Sequence, residues 1–232
     1  MRITSALFGL GLLTLPVQPA FAERVPIGAF AIDRTEVTVA DFAAHAQARG
    51  VRTQAEAEGG GFEFDGGWVR RAGWTWRAPS GEAATPQSPA AHVTWTEARD
   101  YCAAAGGRLP TAAEWTEAAY LERRAQPPEG FTRGKTYPYP VGDTPQGMNL
   151  SLPDPWPRHS PAGATRAGVN GLFDMGGNLW EWLADRRGNE ALTAGGSWWY
   201  GPDKTQADAM LWKPIDFPAV YIGFRCAYEH AG

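Results

Sequence analysis

Two cysteines, four histidines and four methionines are all that this 232-residue chain offers in soft or borderline metal ligands. No C-x-x-C, H-x-x-H or H-E-x-x-H spacing occurs, which removes thioredoxin-type redox centres and helix-borne zinc sites from consideration. No D-x-[DN]-x-[DN]-G loop occurs either, so a calcium site of EF-hand type is excluded. Basic residues never run beyond a pair, and 21 of them stand against 25 acids. A mildly acidic chain of this kind makes a poor nucleic-acid binder. Beyond the first fifteen residues no apolar stretch approaches the length of a membrane span, and no internal repeat is visible.

The N-terminus reads as a secretory signal: Arg2, an apolar run from Ala6 to Leu15, then Ala20-Phe21-Ala22 as an A-x-A cleavage site. The expectation is cleavage after Ala22, leaving residues 23–232 as one soluble periplasmic or secreted domain, a monomer free of the membrane. Two cysteines permit one intramolecular disulfide. Cys102 falls in a predicted helix and Cys226 in the last predicted strand, and an oxidising compartment favours their pairing.

Three helix starts share the grammar T-x-x-[D/E], in which a threonine hydroxyl caps the first turn and an acid three residues on answers it. They predict helices over Val39 to Arg49, from Trp95 to the Gly106-Gly107 stop, and over Ala112 to Arg124. From Pro127 to Gly171 proline is too frequent for regular structure, and the aromatics Tyr137, Tyr139 and Trp156 point to an ordered loop. The eleven tryptophans fall in groups. Most supply core area, while Trp68, Trp74 and Trp76, interspersed with Arg70, Arg71 and Arg77, form a candidate groove, with a solvated hairpin as the alternative.

Gly171 to Asp185 reads G-L-F-D-M-G-G-N-L-W-E-W-L-A-D. If the segment is extended, Trp180 and Trp182 share one face while Leu179, Glu181 and Leu183 share the other. A carboxylate in an apolar row needs a partner. That partner is either a cationic side chain such as Arg225 or a hard metal ion, to which Asp174 and the backbone at Gly176-Gly177 could add oxygens.

That stretch, with Asp33-Arg34-Thr35-Glu36-Val37-Thr38, His92-Val93-Thr94-Trp95, Gly107-Arg108-Leu109-Pro110, Gly195-Gly196-Ser197-Trp198 and Gly223-Phe224-Arg225-Cys226, resembles the signature blocks of the sulfatase-modifying-factor (formylglycine-generating enzyme-like) family in their order. The resemblance implies an irregular α+β single domain with a C-type-lectin-like core. It also implies a structural Cys102–Cys226 disulfide. A calcium site is carried onto the side chains of Asp174 and Glu181 and the backbone oxygens of Gly177 and Leu179, and a second would begin at Asn149 and Leu150.

Formylglycine-generating members bind copper(I) through a thiol pair placed three and eight residues after the G-G-S serine. Here those places hold Tyr200 and Thr205, and hydroxyls do not replace thiolates toward copper(I). The expected function is therefore a binding or maturation accessory factor for a peptide or periplasmic protein client, with no copper and no assigned catalytic residue. Candidate substrate contacts are Ser197, Trp198, Trp199, Tyr200, Asp203 and Arg225. Two alternatives stand beside it: a periplasmic oxidase with a non-thiol metal site, assembled from His92, His159 and an acid, and a carbohydrate-binding module.

Overall fold

A computed structural model describes residues 23–230; the expected signal segment and the residues before its expected cleavage site lie outside the described residues. The T-x-x-[D/E] grammar fixes helix starts throughout. Helix α1 (Val39–Arg49) is capped by Thr38, α3 (Trp95–Ala104) by Thr94 and α4 (Ala112–Tyr120) by Thr111, each with its acid closing a capping box. A fourth box, Thr53 with Glu56, starts the one-turn helix α2 (Gln54–Ala57), which the sequence reading passed over because no apolar periodicity follows it.

Helix α4 stops four residues short of its expected end. Leu121 turns extended and bridges to Thr136, and the buried Glu122 carboxylate takes the N–H groups of Arg124 and Asn170. Tertiary hydrogen bonds thus overrule a helical continuation that propensity alone would allow. His92, for which an extended strand would be the sequence expectation, adopts another conformation. It sits at φ 57° in a turn, its backbone N–H donated to Ala219 O.

The strands form three small sheets. Strands β1 (Arg24–Ile27), β2 (Phe30–Asp33) and β9 (Ala227–Glu229) make one, in the order β1-β2-β9. A hairpin of β3 (Phe62–Phe64) and β4 (Trp68–Arg70) makes the second. The third runs β7-β6-β5-β8, built from β5 (Trp180–Arg187), β6 (Glu190–Ala194), β7 (Leu211–Pro214) and β8 (Ile222–Gly223), with only the β5–β8 pair parallel.

Strand β5 is the hub. Its alternation holds as the sequence predicts, but both faces are buried: Trp180 and Trp182 enter a core shared with α1 and α3, and Leu183 enters a second core with Trp115 of α4. The indole N–H groups of Trp182 and Trp95 find Val93 O at 2.9 Å and Leu183 O at 2.7 Å, which locks β5 to α3. Cys102 in α3 and Cys226 at the start of β9 form a disulfide, closing 124 residues of sequence. The proline-rich segment is pinned by the Leu121–Thr136 and Asn149–Gly177 bridges and by a small apolar cluster of Val141, Met148 and Leu150.

Candidate functional site

Glu181 faces the second core, and its partner there is Arg225. The guanidinium Nη2 and Nε reach the two carboxylate oxygens at 2.7 and 2.8 Å, with both side chains fully buried. Trp115 adds its indole N–H at 2.9 Å. The remaining Arg225 donors go to the carbonyls of Asp33, Arg34 and Phe173, so all five guanidinium N–H groups are satisfied. Arg225 therefore does not join the other candidate substrate contacts; it holds the core together.

Two further carboxyls crowd this centre. Glu36 accepts from Asn178 Nδ2 and Leu179 N at 2.6 and 3.0 Å, and burial, then the charges of Asp174 and Glu181, push its carboxyl well above the ordinary range. Asp174 is likewise raised by burial; its oxygens accept from Gly163 N and Thr165 Oγ1. The expected calcium ligands meet here unevenly. The carbonyls of Gly177 and Leu179 accept no hydrogen bond from any described residue, whereas both carboxylates are already engaged by protein donors. Asn149, the start of the expected second site, keeps a buried Oδ1 without a partner.

A different arrangement follows the G-G-S turn. Gly195 and Gly196 take φ of 94° and 71°, and a Cβ on either would stand 3.0 Å from the carbonyl of Met175 or Lys204, so the turn admits only glycine. It delivers Ser197, Trp198, Trp199 and Tyr200 in succession. Ser197 is fully buried, yet its hydroxyl has no partner among the described residues, and neither does the indole N–H of Trp198. The serine is thus not occupied in stabilising the turn. Tyr200 packs edge-on against Trp180 at 5.6 Å. Thr205 is fully buried and donates its hydroxyl to Pro202 O. Asp203 is exposed and pairs only with Lys204.

Tyr221 joins this turn to the β3–β4 hairpin. Its ring lies 5.5 Å from Trp198, 5.7 Å from Trp199 and 6.0 Å from Trp68, and its hydroxyl accepts from Phe64 N. Trp68 continues the row to Phe64 and Phe217. Phe64, Trp68 and Trp199 stand 42, 50 and 45% exposed, so the row is an accessible aromatic surface. Beside it opens a cleft of about 480 Å³ between Trp198, Trp199 and the loop that carries Leu152 and Trp156. The tryptophan-rich segment divides accordingly: Trp68 reaches the surface, Trp74 borders it, and Trp76 is fully buried in the core.

Arg158 lies over Trp74 and Trp198 and pairs with Glu63 at 3.0 Å. His92 and His159 come close enough for the charge of one to depress the other. Their nitrogens, however, face carbonyls: His92 those of Pro218 and Pro79, His159 that of Val220 at 2.7 Å. An N–H donated to a carbonyl is not offered to a metal, and a neutral His92 donates from only one of its two nitrogens. Burial holds both imidazoles down, His159 to about 4. Among the described residues, no three His, Cys, Asp or Glu side chains come together as a metal-ligating group.

Short helices around small sheets, with long pinned loops, define a C-type-lectin-like architecture. The structure of PvdO from Pseudomonas aeruginosa shares it, with a TM-score of 0.66 at 22% identity over 87% of this chain and 80% of that one. The chain belongs to the family described as sulfatase-modifying factor enzyme 1-like domain, whose model matches residues 11–230. Similar curated proteins include the formylglycine-generating enzyme of Thermomonospora curvata, 30% identical over 88% of this chain and 84% of that protein. The bovine (Bos taurus) protein named inactive C-alpha-formylglycine-generating enzyme 2 is 28% identical over 88% and 78%. The hercynine oxygenase of Mycolicibacterium thermoresistibile is 27% identical over 91% and 53%. The family thus holds members named as enzymes, as an oxygenase and as inactive.

Tyr221, Phe64, Phe217 and Arg158 were missed as site residues by sequence reasoning. Only the tryptophan abundance hinted at such a surface.

Proposed function

We propose that this chain is an exported accessory factor that binds a peptide or protein client on the aromatic face between Trp68 and Trp199, and that it does not generate formylglycine through copper. The observation that carries this reading is the chemistry at the two positions of the family's thiol pair. Tyr200 packs on Trp180, Thr205 is buried with its hydroxyl committed to Pro202 O, and both cysteines are joined elsewhere. No thiolate remains for a cuprous ion. The exposed rings of Phe64, Trp68 and Trp199 suit a client that brings apolar side chains. A relative named as inactive supports the reading.

Calcium at Asp174, Gly177, Leu179 and Glu181 remains a proposal that these residues fit in part. Two carbonyls are open, but Arg225 already neutralises Glu181, so no functional step is drawn through the ion.

The test is aerobic incubation of the purified chain with a cysteine-containing peptide and copper(I), read by mass spectrometry alongside metal analysis. The expected result is peptide binding without aldehyde and without stoichiometric copper. Turnover that requires copper or iron would overturn the reading in favour of an oxidase. The flat exposed faces of Trp68 and Trp199 support carbohydrate binding as a second reading, and glycan-array binding that survives chelation would favour it.

A further inference from the structure

Three lysines occur in the chain. Lys135 pairs with Asp143 at 2.9 Å and Lys204 with Asp203 at 3.3 Å. Lys213 on β7 is different. It is half-buried, its ammonium stands 4.6 Å above the Trp180 ring, and no described carboxylate compensates it. Burial alone pulls its pKa down to about 8. The indole beneath is itself fully buried and packs edge-on against Tyr200. A cation–π contact offsets only part of what a half-desolvated ammonium loses from water. The ammonium therefore lacks an acceptor, and the group that satisfies it is an anion.

Lys213 also lines an open pocket of about 260 Å³ with Trp68, Trp212, Pro214 and Phe217. Its walls are apolar rings and a proline, which suit an aromatic or aliphatic body and not a strongly hydrated inorganic anion. We propose that Lys213 and this pocket bind the carboxylate of a ligand whose body is apolar. Such a carboxylate belongs either to a small organic acid or to the C-terminus of a peptide. The proposal does not depend on the copper question, and it stands whether or not a client docks on the aromatic face.

The experiment measures affinity by calorimetry on the mature chain at pH 7, using N-acetyl-phenylalanine, its primary amide, and a pentapeptide ending in phenylalanine as free acid and as amide. Free acids should bind at least tenfold more tightly than their amides, and Lys213→Met should reduce that ratio to within twofold. Preference already shown by the single amino acid assigns a small acid as the ligand; preference shown by the peptide alone assigns a chain terminus. Equal binding of acid and amide, absence of binding by both acids at millimolar concentration, or a ratio that survives Lys213→Met would overturn the proposal. Because the comparison of acid with amide is made on the unmodified chain, instability of the variant does not remove the test.

Discussion

The Glu181–Arg225 centre and the Ser197–Tyr221 face lie a few residues apart in sequence on either side of the same sheet, and they treat polar groups in opposite ways. At the centre every guanidinium N–H has an acceptor and both Glu181 oxygens have donors. At the face, Ser197 Oγ and the indole nitrogen of Trp198 are buried without a partner among the described residues, beside exposed rings. A satisfied buried network specifies a fold, whereas exposed aromatic rings gain burial only when a partner covers them.

The comparison is broken most forcefully by removing the covalent tie next to Arg225. Cys102→Ser opens a loop of 124 residues, and on the chain-entropy model the loss is about 4–5 kcal/mol. Thermal melting should fall steeply, while an unchanged midpoint would mean that the centre holds β9 in place by itself.

Next in size is the ion pair. Glu181→Gln leaves Arg225 buried against a neutral group, and breaking a buried pair in this way costs about 3–5 kcal/mol. The loss should be the same with calcium and with chelator, since Arg225 and not a metal occupies the carboxylate. A loss seen only with calcium present would make the ion the principal partner of Glu181.

How much of this was legible follows from which interactions are local. Capping boxes at Thr38, Thr94 and Thr111 involve residues three apart, and all three helix starts stand where the sequence places them. The end of α4 does not, because Leu121 answers to Thr136 and Glu122 to Asn170, contacts invisible in a local window. Alternation along β5 correctly put Glu181 with Leu183 and required a partner, and Arg225 was one of the two candidates. Its parallel expectation as a substrate contact failed, because a fully satisfied guanidinium has nothing left to offer a ligand. The aromatic face was legible only as an excess of tryptophan. Tyr221 and Phe217 come from the segment before G-F-R-C and meet Trp68 only through folding.

A smaller effect sharpens the contrast through pH. Asp33, whose backbone oxygen Arg225 grips, is raised to about 6 by burial, only partly offset by the Cys226 N–H on its carboxyl and the Arg225 charge. Folding favours its protonated form, so its contribution is fully present below pH about 4 and is lost as pH rises through about 6. Asp33→Asn keeps the neutral form at every pH. The stability of the natural chain relative to this variant should therefore fall by up to about 3 kcal/mol between pH 4 and 7, measured by denaturant titration. A constant difference would show that Asp33 is ionised throughout.

The smallest expected change in stability tests the face itself. Trp199 is 45% exposed and meets Trp198 and Tyr221 by ring edges and tilted faces, and Ser197 Oγ has no hydrogen bond to lose. Trp199→Ala and Ser197→Ala should each leave the melting midpoint within about 1 kcal/mol of the natural chain, because neither removes a contact on which the core depends. Client or peptide affinity should fall about tenfold for Trp199→Ala, a loss of about 1.4 kcal/mol, since a half-exposed indole gains its burial only when a partner covers it. Ser197→Ala should raise the midpoint slightly by removing an unsatisfied buried hydroxyl. A large loss of stability with intact binding in either variant would reverse the assignment and make this face part of the scaffold.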